Sequence, residues 1–368
     1  MLTFNIAVLI ILSWTATIAA QVQIEAMSRG FYNFSVDLYQ QCSQFKSGNL
    51  VISPFSVGTS LTLLSEAANG TTYEQLRKHL HLNGDKSDVA DKFKEYIKII
   101  KRSAGQSELM IANQIYVHEG FQLNQDFRKI ASDMLGESTT VFMVNTIYLK
   151  SIWLQPFPRH KKPGGGFYDW KENFYISETE TVEANFMKMK KKVWIVDLHE
   201  LDIAALRLDY FQSNFSFIII LPNKRMGLST LEAQLQNINL SKIVEKMKFM
   251  EYEVQIPKFK VTTELLLNDI LKKIGMNDMF ELEANFSGLL STTVPLYVSH
   301  VIHQATIEIN EKLSEASAAT GSIHRRLSGT GIFRADHPFM FYVWDRETNT
   351  TIFNGCIKNF PTDITLKQ

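Results

Sequence analysis

Cysteine is scarce in this chain: two residues, Cys42 and Cys356, among 368. Two thiols cannot build the disulfide framework on which small secreted domains depend, so apolar packing must carry the stability. Cys356 follows Phe353-Asn354-Gly355 in a strand-like run and reads as a buried free thiol. Net charge is absent too, since Lys+Arg and Asp+Glu each total 38. A neutral chain has no global electrostatic reason to seek nucleic acid or an anionic membrane. Beyond the N-terminus no apolar run approaches the roughly 18 uncharged residues of a membrane helix. No stretch rich in Pro, Ser or charge divides the chain and no internal period is visible, which favours one domain over two. What is abundant is apolar surface. Hydrophobic residues make up 45% and charged ones 21%, which excludes disorder and collagen-like repeats, and 25 Phe demand an extensive interior.

The first residues read as an export signal spanning 1–20. Phe4 to Trp14 is apolar but too short to cross a bilayer, and Thr17-Ile18-Ala19-Ala20 supplies the small residues of a cleavage site. The region before it carries no Lys or Arg, so a buried N-terminal strand is the competing reading. The expected mature chain, 21–368, is secreted, extracellular and soluble. Asn33, Asn69, Asn214, Asn239 and Asn349 open Asn-x-Ser/Thr triplets and are glycosylation candidates. Asn285 opens a sixth, but the neighbouring Phe286 wants a core, and this site is set aside.

Helix and strand signals are mixed along the chain. Ser53-Pro54 is a helix start, with the helix running through Leu61, Leu63 and Leu64 to Asn69-Gly70. Thr72-x-x-Gln75 predicts a capping box, and Leu265 to Ile274 a helix stopped by Gly275. Ser216 to Leu221 predicts a strand covered on both faces. In Val301 to Asn310 the odd positions, His303 aside, are apolar and the even ones mixed, the pattern of a half-buried strand. The absence of a βαβ rhythm favours α+β.

Catalytic signatures are missing. There is no phosphate-binding Gly-rich loop, no dinucleotide fingerprint and no nucleophile elbow, and His199-Glu200 lacks the second His of a zinc helix. His79-x-His81 and His300-x-x-His303 offer two nitrogens each, but strand residues three apart point to opposite faces. The expectation is no enzyme, no cofactor and no metal. Lys188, Lys190, Lys191 and Lys192 read as a solvated strand end rather than a polyanion site.

One segment has no ordinary explanation. From Ser314 to Ser322 nothing is bulky, and with period two Ser314, Ala316, Ala318, Thr320 and Ser322 share a face small enough to enter a core. A short surface helix or a plain linker fits the composition equally well.

Motifs elsewhere resolve that choice. Val51-Ile52-Ser53-Pro54-Phe55-Ser56, Val144-Asn145-Thr146-Ile147-Tyr148 with Trp153, and Leu221-Pro222 are followed by Ile256-Pro257-Lys258-Phe259, Val298-Ser299-His300-Val301-Ile302-His303, Asn310-Glu311 and Ala335-Asp336-His337-Pro338-Phe339-Met340-Phe341. In that order they resemble the serpins, secreted and arthropod-like, over essentially the whole mature length. The resemblance implies one α+β domain of three β-sheets with surrounding helices and a reactive-centre loop at about 312–334. It also implies a monomer whose partner is a serine protease, trapped covalently after cutting the loop. Counted in the family's register from Glu311 and back from Pro338, the reactive bond is Leu327-Ser328, which suits a chymotrypsin- or elastase-like enzyme. Cleavage after Arg326 by a trypsin-like one is the runner-up. Glu311, Leu313, Ser314, Ala316, Ala318 and Thr320 match the hinge; Ser53, Ser56, Asn145, Trp153 and His303 match the shutter and breach. Two features depart from the pattern. Leu313 stands where the family has Gly, and Gly136 to Val141 joins a helix directly to the strand at Val141–Leu149, without the edge strand and helix expected between them. These departures support the rival expectation of a non-inhibitory serpin-fold binding or decoy protein.

Overall fold

Apolar side chains recur at Met27, Phe31, Phe34, Leu38 and Cys42, one stripe of a helix, and all are buried. They belong to α1 (Leu2–Phe45), the first element of a computed structural model that describes residues 2–114, 123–135, 143–161, 167–291, 295–311 and 331–360. Residues 2–20, read above as an export signal, continue this helix.

After β1 (Leu50–Ile52), Ser53 caps α2 (Pro54–Ala67): its Oγ accepts from the Ser56 N–H at 3.2 Å while Pro54 supplies a preset first turn. Every residue of α2 is buried. The next helix, α3 (Gly70–His79), begins two residues before the expected box, because Asn69 occupies the cap position. Thr72 and Gln75 are spent on tertiary contacts instead, accepting from the backbone N–H of Asn285 and of Asn277 and Asp278, each at 2.9 Å. There follow α4 (Lys86–Ala104), β2 (Glu108–Gln114), α5 (Gln125–Leu135), β3 (Met143–Lys150), β4 (His160–Lys161), β5 (Phe167–Tyr168), β6 (Trp170–Tyr175), β7 (Thr181–Leu198), β8 (Ile203–Asp209) and β9 (Phe215–Pro222). The last third comprises α6 (Leu228–Ala233), α7 (Leu240–Lys246), β10 (Lys248–Pro257), β11 (Phe259–Leu266), α8 (Asn268–Ile274), β12 (Val301–Ile309), β13 (Gly331–Arg334), β14 (Phe339–Asp345) and β15 (Thr350–Ile357). Leu265 and Leu266, expected in a helix, finish β11 by pairing with His303 and Ile302; Gly275, at φ +116°, does stop α8.

Three sheets form among the described residues. Nine strands run β1-β15-β14-β9-β8-β7-β10-β13, with β6 also on β7; four run β11-β12-β3-β2; β4 and β5 make a two-stranded ribbon. The buried strand read from Ser216 to Leu221 is β9, covered along its whole length, as are β14 and β15. Cys356 is a buried free thiol in β15, and Cys42 is buried in α1. The four lysines lie in the middle of β7 rather than at a strand end, where Lys188 pairs with Glu253 at 2.7 Å and Lys190 with Glu251 at 3.9 Å. Cross-strand register creates these pairs, and they cannot be read from the local run of lysines.

Candidate functional site: a parallel seam above a buried polar latch

The four-stranded sheet contains one unlike junction. β11 with β12 and β2 with β3 are antiparallel, whereas β12 and β3 are parallel, in register from Val301↔Met143 to Ile307↔Leu149. Parallel ladders have slanted bonds and are slightly weaker per residue. Along β12 the burial alternates as the sequence predicts: Val301, His303, Ala305, Ile307 and Ile309 face inward.

Beneath this seam lies a solvent-free polar cluster. The Ser53 N–H donates to His303 Nε2 at 3.0 Å, and the Ser53 hydroxyl donates to the Ile352 carbonyl at 2.6 Å. His303 on β12 stands opposite Asn145 on β3, and the Asn145 side-chain oxygen accepts from the Ser60 hydroxyl at 2.5 Å. Thus Ser53, Ser60, Asn145 and His303, all buried, tie β3 and β12 to α2. Ser56 is also buried and contributes its backbone N–H to the Ser53 cap. Because Nε2 accepts, the imidazole is neutral with its proton on Nδ1. Burial lowers the His303 pKa to about 4, against a smaller opposing effect of the Asn145 backbone. That backbone does not complete a well-aligned bond: His303 Nδ1 and Asn145 Nδ2 are both buried without a hydrogen-bond partner. An unsatisfied buried polar atom costs about 1–3 kcal/mol, so among the described residues this junction is the least satisfied part of its sheet.

The far end of β12 is clamped. Trp153 Nε1 donates to the Asn310 carbonyl at 3.0 Å, and the indole stacks on Tyr210 with ring centres 4.8 Å apart. The Glu311 carboxylate pairs with the Lys258 ammonium at 2.6 Å, and Lys258 also meets Asp169 at 2.6 Å. Both members of the Glu311–Lys258 pair are largely buried. On the other side of residues 312–330, Gly331 opens β13, parallel to β10, where a Cβ would come within 2.4 Å of the Tyr252 ring. The segment 312–330 is therefore anchored in the four-stranded sheet at one end and in the nine-stranded sheet at the other. Leu313, Ser314, Ala316, Ala318, Thr320, Arg326, Leu327 and Ser328 lie outside the described residues, as does the junction from Gly136 to Phe142.

Sequence reasoning missed Ser60, because a helix buried all round shows no contrast between its faces. It also missed the Lys258 clamp. The candidate metal pairs do not converge: His81 faces Asp37 at 3.5 Å, His303 is in the latch, and among the described residues no group of three possible ligands forms. All six sequon asparagines are exposed. Phe286 is in the core as anticipated, and Asn285 beside it lies at the surface.

A family model described as Serpin (serine protease inhibitor) matches residues 30–138 and 128–360, two stretches that overlap at 128–138. Ipis-1 of Ixodes persulcatus is 28% identical, the alignment covering 90% of this chain and 99% of that protein. The leukocyte elastase inhibitor of Bos taurus is 26% identical over the same shares. Among solved structures, cleaved Serpin 42Da superposes with a TM-score of 0.80 at 26% identity, covering 92% of this chain and all of that one.

Proposed function

The chain belongs to the serpin family, and from that premise we propose that it inhibits a serine protease as a suicide substrate, by admitting its own cleaved loop between β3 and β12. The observation that carries this reading is the parallel junction. A strand that leaves β12 at Glu311 and turns back runs antiparallel to β12, and therefore antiparallel to β3 as well. Insertion replaces one parallel ladder with two antiparallel ones, a β-augmentation from within the chain. The alternating small residues from Ser314 to Ser322 suit entry into close-packed space.

In the proposed reaction the protease serine attacks the Leu327 carbonyl. The Leu327-Ser328 peptide bond breaks, the protease's own base delivers the proton to the departing Ser328 amine, and an ester joins Leu327 to the enzyme. Insertion then drags the acylated enzyme with the loop before water hydrolyses the ester. Glu311 and Lys258 hold the pivot of this movement, and Ser53, Asn145, Ser60 and His303 hold the seam shut until it begins. The exposed sequons and the N-terminal segment support a secreted, glycosylated product cut after residue 20. The junction at Gly136 to Val141 supports the loss of an edge strand and a helix.

Incubation with chymotrypsin and elastase is expected to give an SDS-resistant adduct, and Leu327→Arg to transfer adduct formation to trypsin. Cleavage of the loop by all three without adduct would favour the non-inhibitory reading. Rates unchanged by Leu327→Arg would place the reactive bond elsewhere.

A further inference from the structure

In an antiparallel pair each residue's backbone groups point either to the partner strand or away from it, in alternation. β2 pairs with β3 in unbroken register from Glu108↔Lys150 to Gln114↔Val144, and among the described residues no strand lies on its other side. The Leu109 N–H donates back to the Ser107 carbonyl at 2.9 Å and so is not given to β3. The odd positions of β2 therefore carry the backbone groups that face away, with Ile111 at the middle of the strand.

Sheet edges are templates for pairing, and proteins blunt them with short strands, Pro, Lys and other charges, or bulges. Among the other edges of the described sheets, β4 and β5 have two residues each, β1 three and β13 four. β6 carries Lys171 and Glu172, and β11 carries Lys260 and Glu264. β2 has none of these devices. Its seven residues, Glu-Leu-Met-Ile-Ala-Asn-Gln, include no Pro, Gly or Lys, its register is unshifted, and its one charge stands at the first position. The core is open along it too. Ile147 and Leu149 on β3 are buried, whereas their Cα partners Ile111 and Leu109 are only half-buried. On the opposite face of β2, Met110 and Ala112 are exposed.

We propose that β2 is a dimer interface: two copies of the chain pair antiparallel through this edge, about a two-fold axis at Ile111, and join their four-stranded sheets into one. The strand fits itself. A two-fold at Ile111 uses all seven residues and sets Met110 of each copy against Ala112 of the other, a long side chain against a short one. On the inward face Ile111 meets Ile111, so two half-buried side chains extend the core across the axis. Glu108 falls opposite the uncharged Gln114, whereas an in-register parallel pairing would set Glu108 against Glu108. Ile111, whose backbone groups face away from β3, forms the doubly hydrogen-bonded pair on the axis. The dimer stands in place of the monomer that the resemblance implies. It is independent of protease inhibition, because β2 lies on the far side of β3 from the seam with β12. One seven-residue ladder is a small interface, so the dimer is weak and dissociates in the micromolar range.

The test is sedimentation velocity of the full-length chain, in reductant, from sub-micromolar to a few hundred micromolar. A shift from monomer to dimer with rising concentration is expected. Met110→Lys combined with Ala112→Lys changes only side chains that are already exposed, and it sets like charges opposite each other twice across the axis. This variant should dimerise at least about tenfold more weakly. Met110→Glu combined with Ala112→Glu should show the same loss, and an equimolar mixture of the two double variants should restore the dimer, which misfolded variants would not do. A chain that stays monomeric over the whole range would overturn the proposal. So would a dimer that the lysine variant leaves intact, or one that the mixture fails to restore.

Discussion

His303 and Glu66 are buried ionisable residues whose burial makes stability depend on pH in opposite directions. His303 is a base whose folded pKa is depressed, from 6.5 to about 4. Above pH 6.5 neither folded nor unfolded chain protonates it, and nothing is lost. As pH falls from 6.5 to 4 the unfolded state takes the proton and the folded state does not, so stability declines by up to ~3 kcal/mol and then levels off. Urea unfolding between pH 7 and 4 should therefore be steeper in pH for the native chain than for His303→Gln; identical slopes would remove His303 from this role. Glu66 is an acid whose folded pKa is raised to about 7 by burial, with Lys86 opposing, and its Oε1 has no partner. Its contribution is complete below pH 4.5 and is lost as pH rises through 7. Glu66→Gln should stabilise the chain at pH 8 and change little at pH 5, which thermal midpoints at the two pH values will show. An equal effect at both would mean that packing, not ionisation, dominates there.

Among the elements, β12 joins the latch at His303 to the clamp at Glu311. Lys258→Met would strip the Glu311 carboxylate of its ammonium partner in a largely buried setting, at a cost of ~3–5 kcal/mol. Adding Glu311→Gln should recover part of that loss, because the largely buried charge goes with it, and Asp169 is more than half exposed. Urea unfolding of the single and double variants decides the matter; a double variant as unstable as the single one would mean that the pair is not what holds the strand end. Much of this element is legible without coordinates. The period-two alternation of Val301 to Ile309 shows its inward face, and that parity already buries His303. The partners are not legible, since Ser53 and Trp153 are remote in sequence and meet β12 only through the sheet. Local signatures also misread where tertiary contacts outbid them. Thr72 and Gln75 look like a cap, but the turns near Asn277 and Asn285 use their oxygens. The run of lysines looks solvated because the glutamates of β10 lie about sixty residues away.

For the whole molecule, the proposed inhibition requires β3 and β12 to separate. On the edge strands of their sheet, Met110 of β2 and Leu266 of β11 are each more than half exposed. The order of motifs placed the fold correctly, since a serpin's sheets are assembled from segments that each keep their own pattern. Which two strands are parallel neighbours could not be read from those patterns, because alternation reports faces and not partners. Thr146 and Gln304 are Cα partners across the seam and both half-buried on its front face. Neighbouring strands lie about 4.8 Å apart, within reach of a disulfide, so Thr146→Cys with Gln304→Cys would lock the seam. The most direct measurement is the yield of SDS-resistant adduct with a chymotrypsin-like protease from this variant, oxidised and reduced. The expected result is loop cleavage without adduct when oxidised and restored adduct on reduction; equal adduct in both states would show that the loop does not enter between β3 and β12.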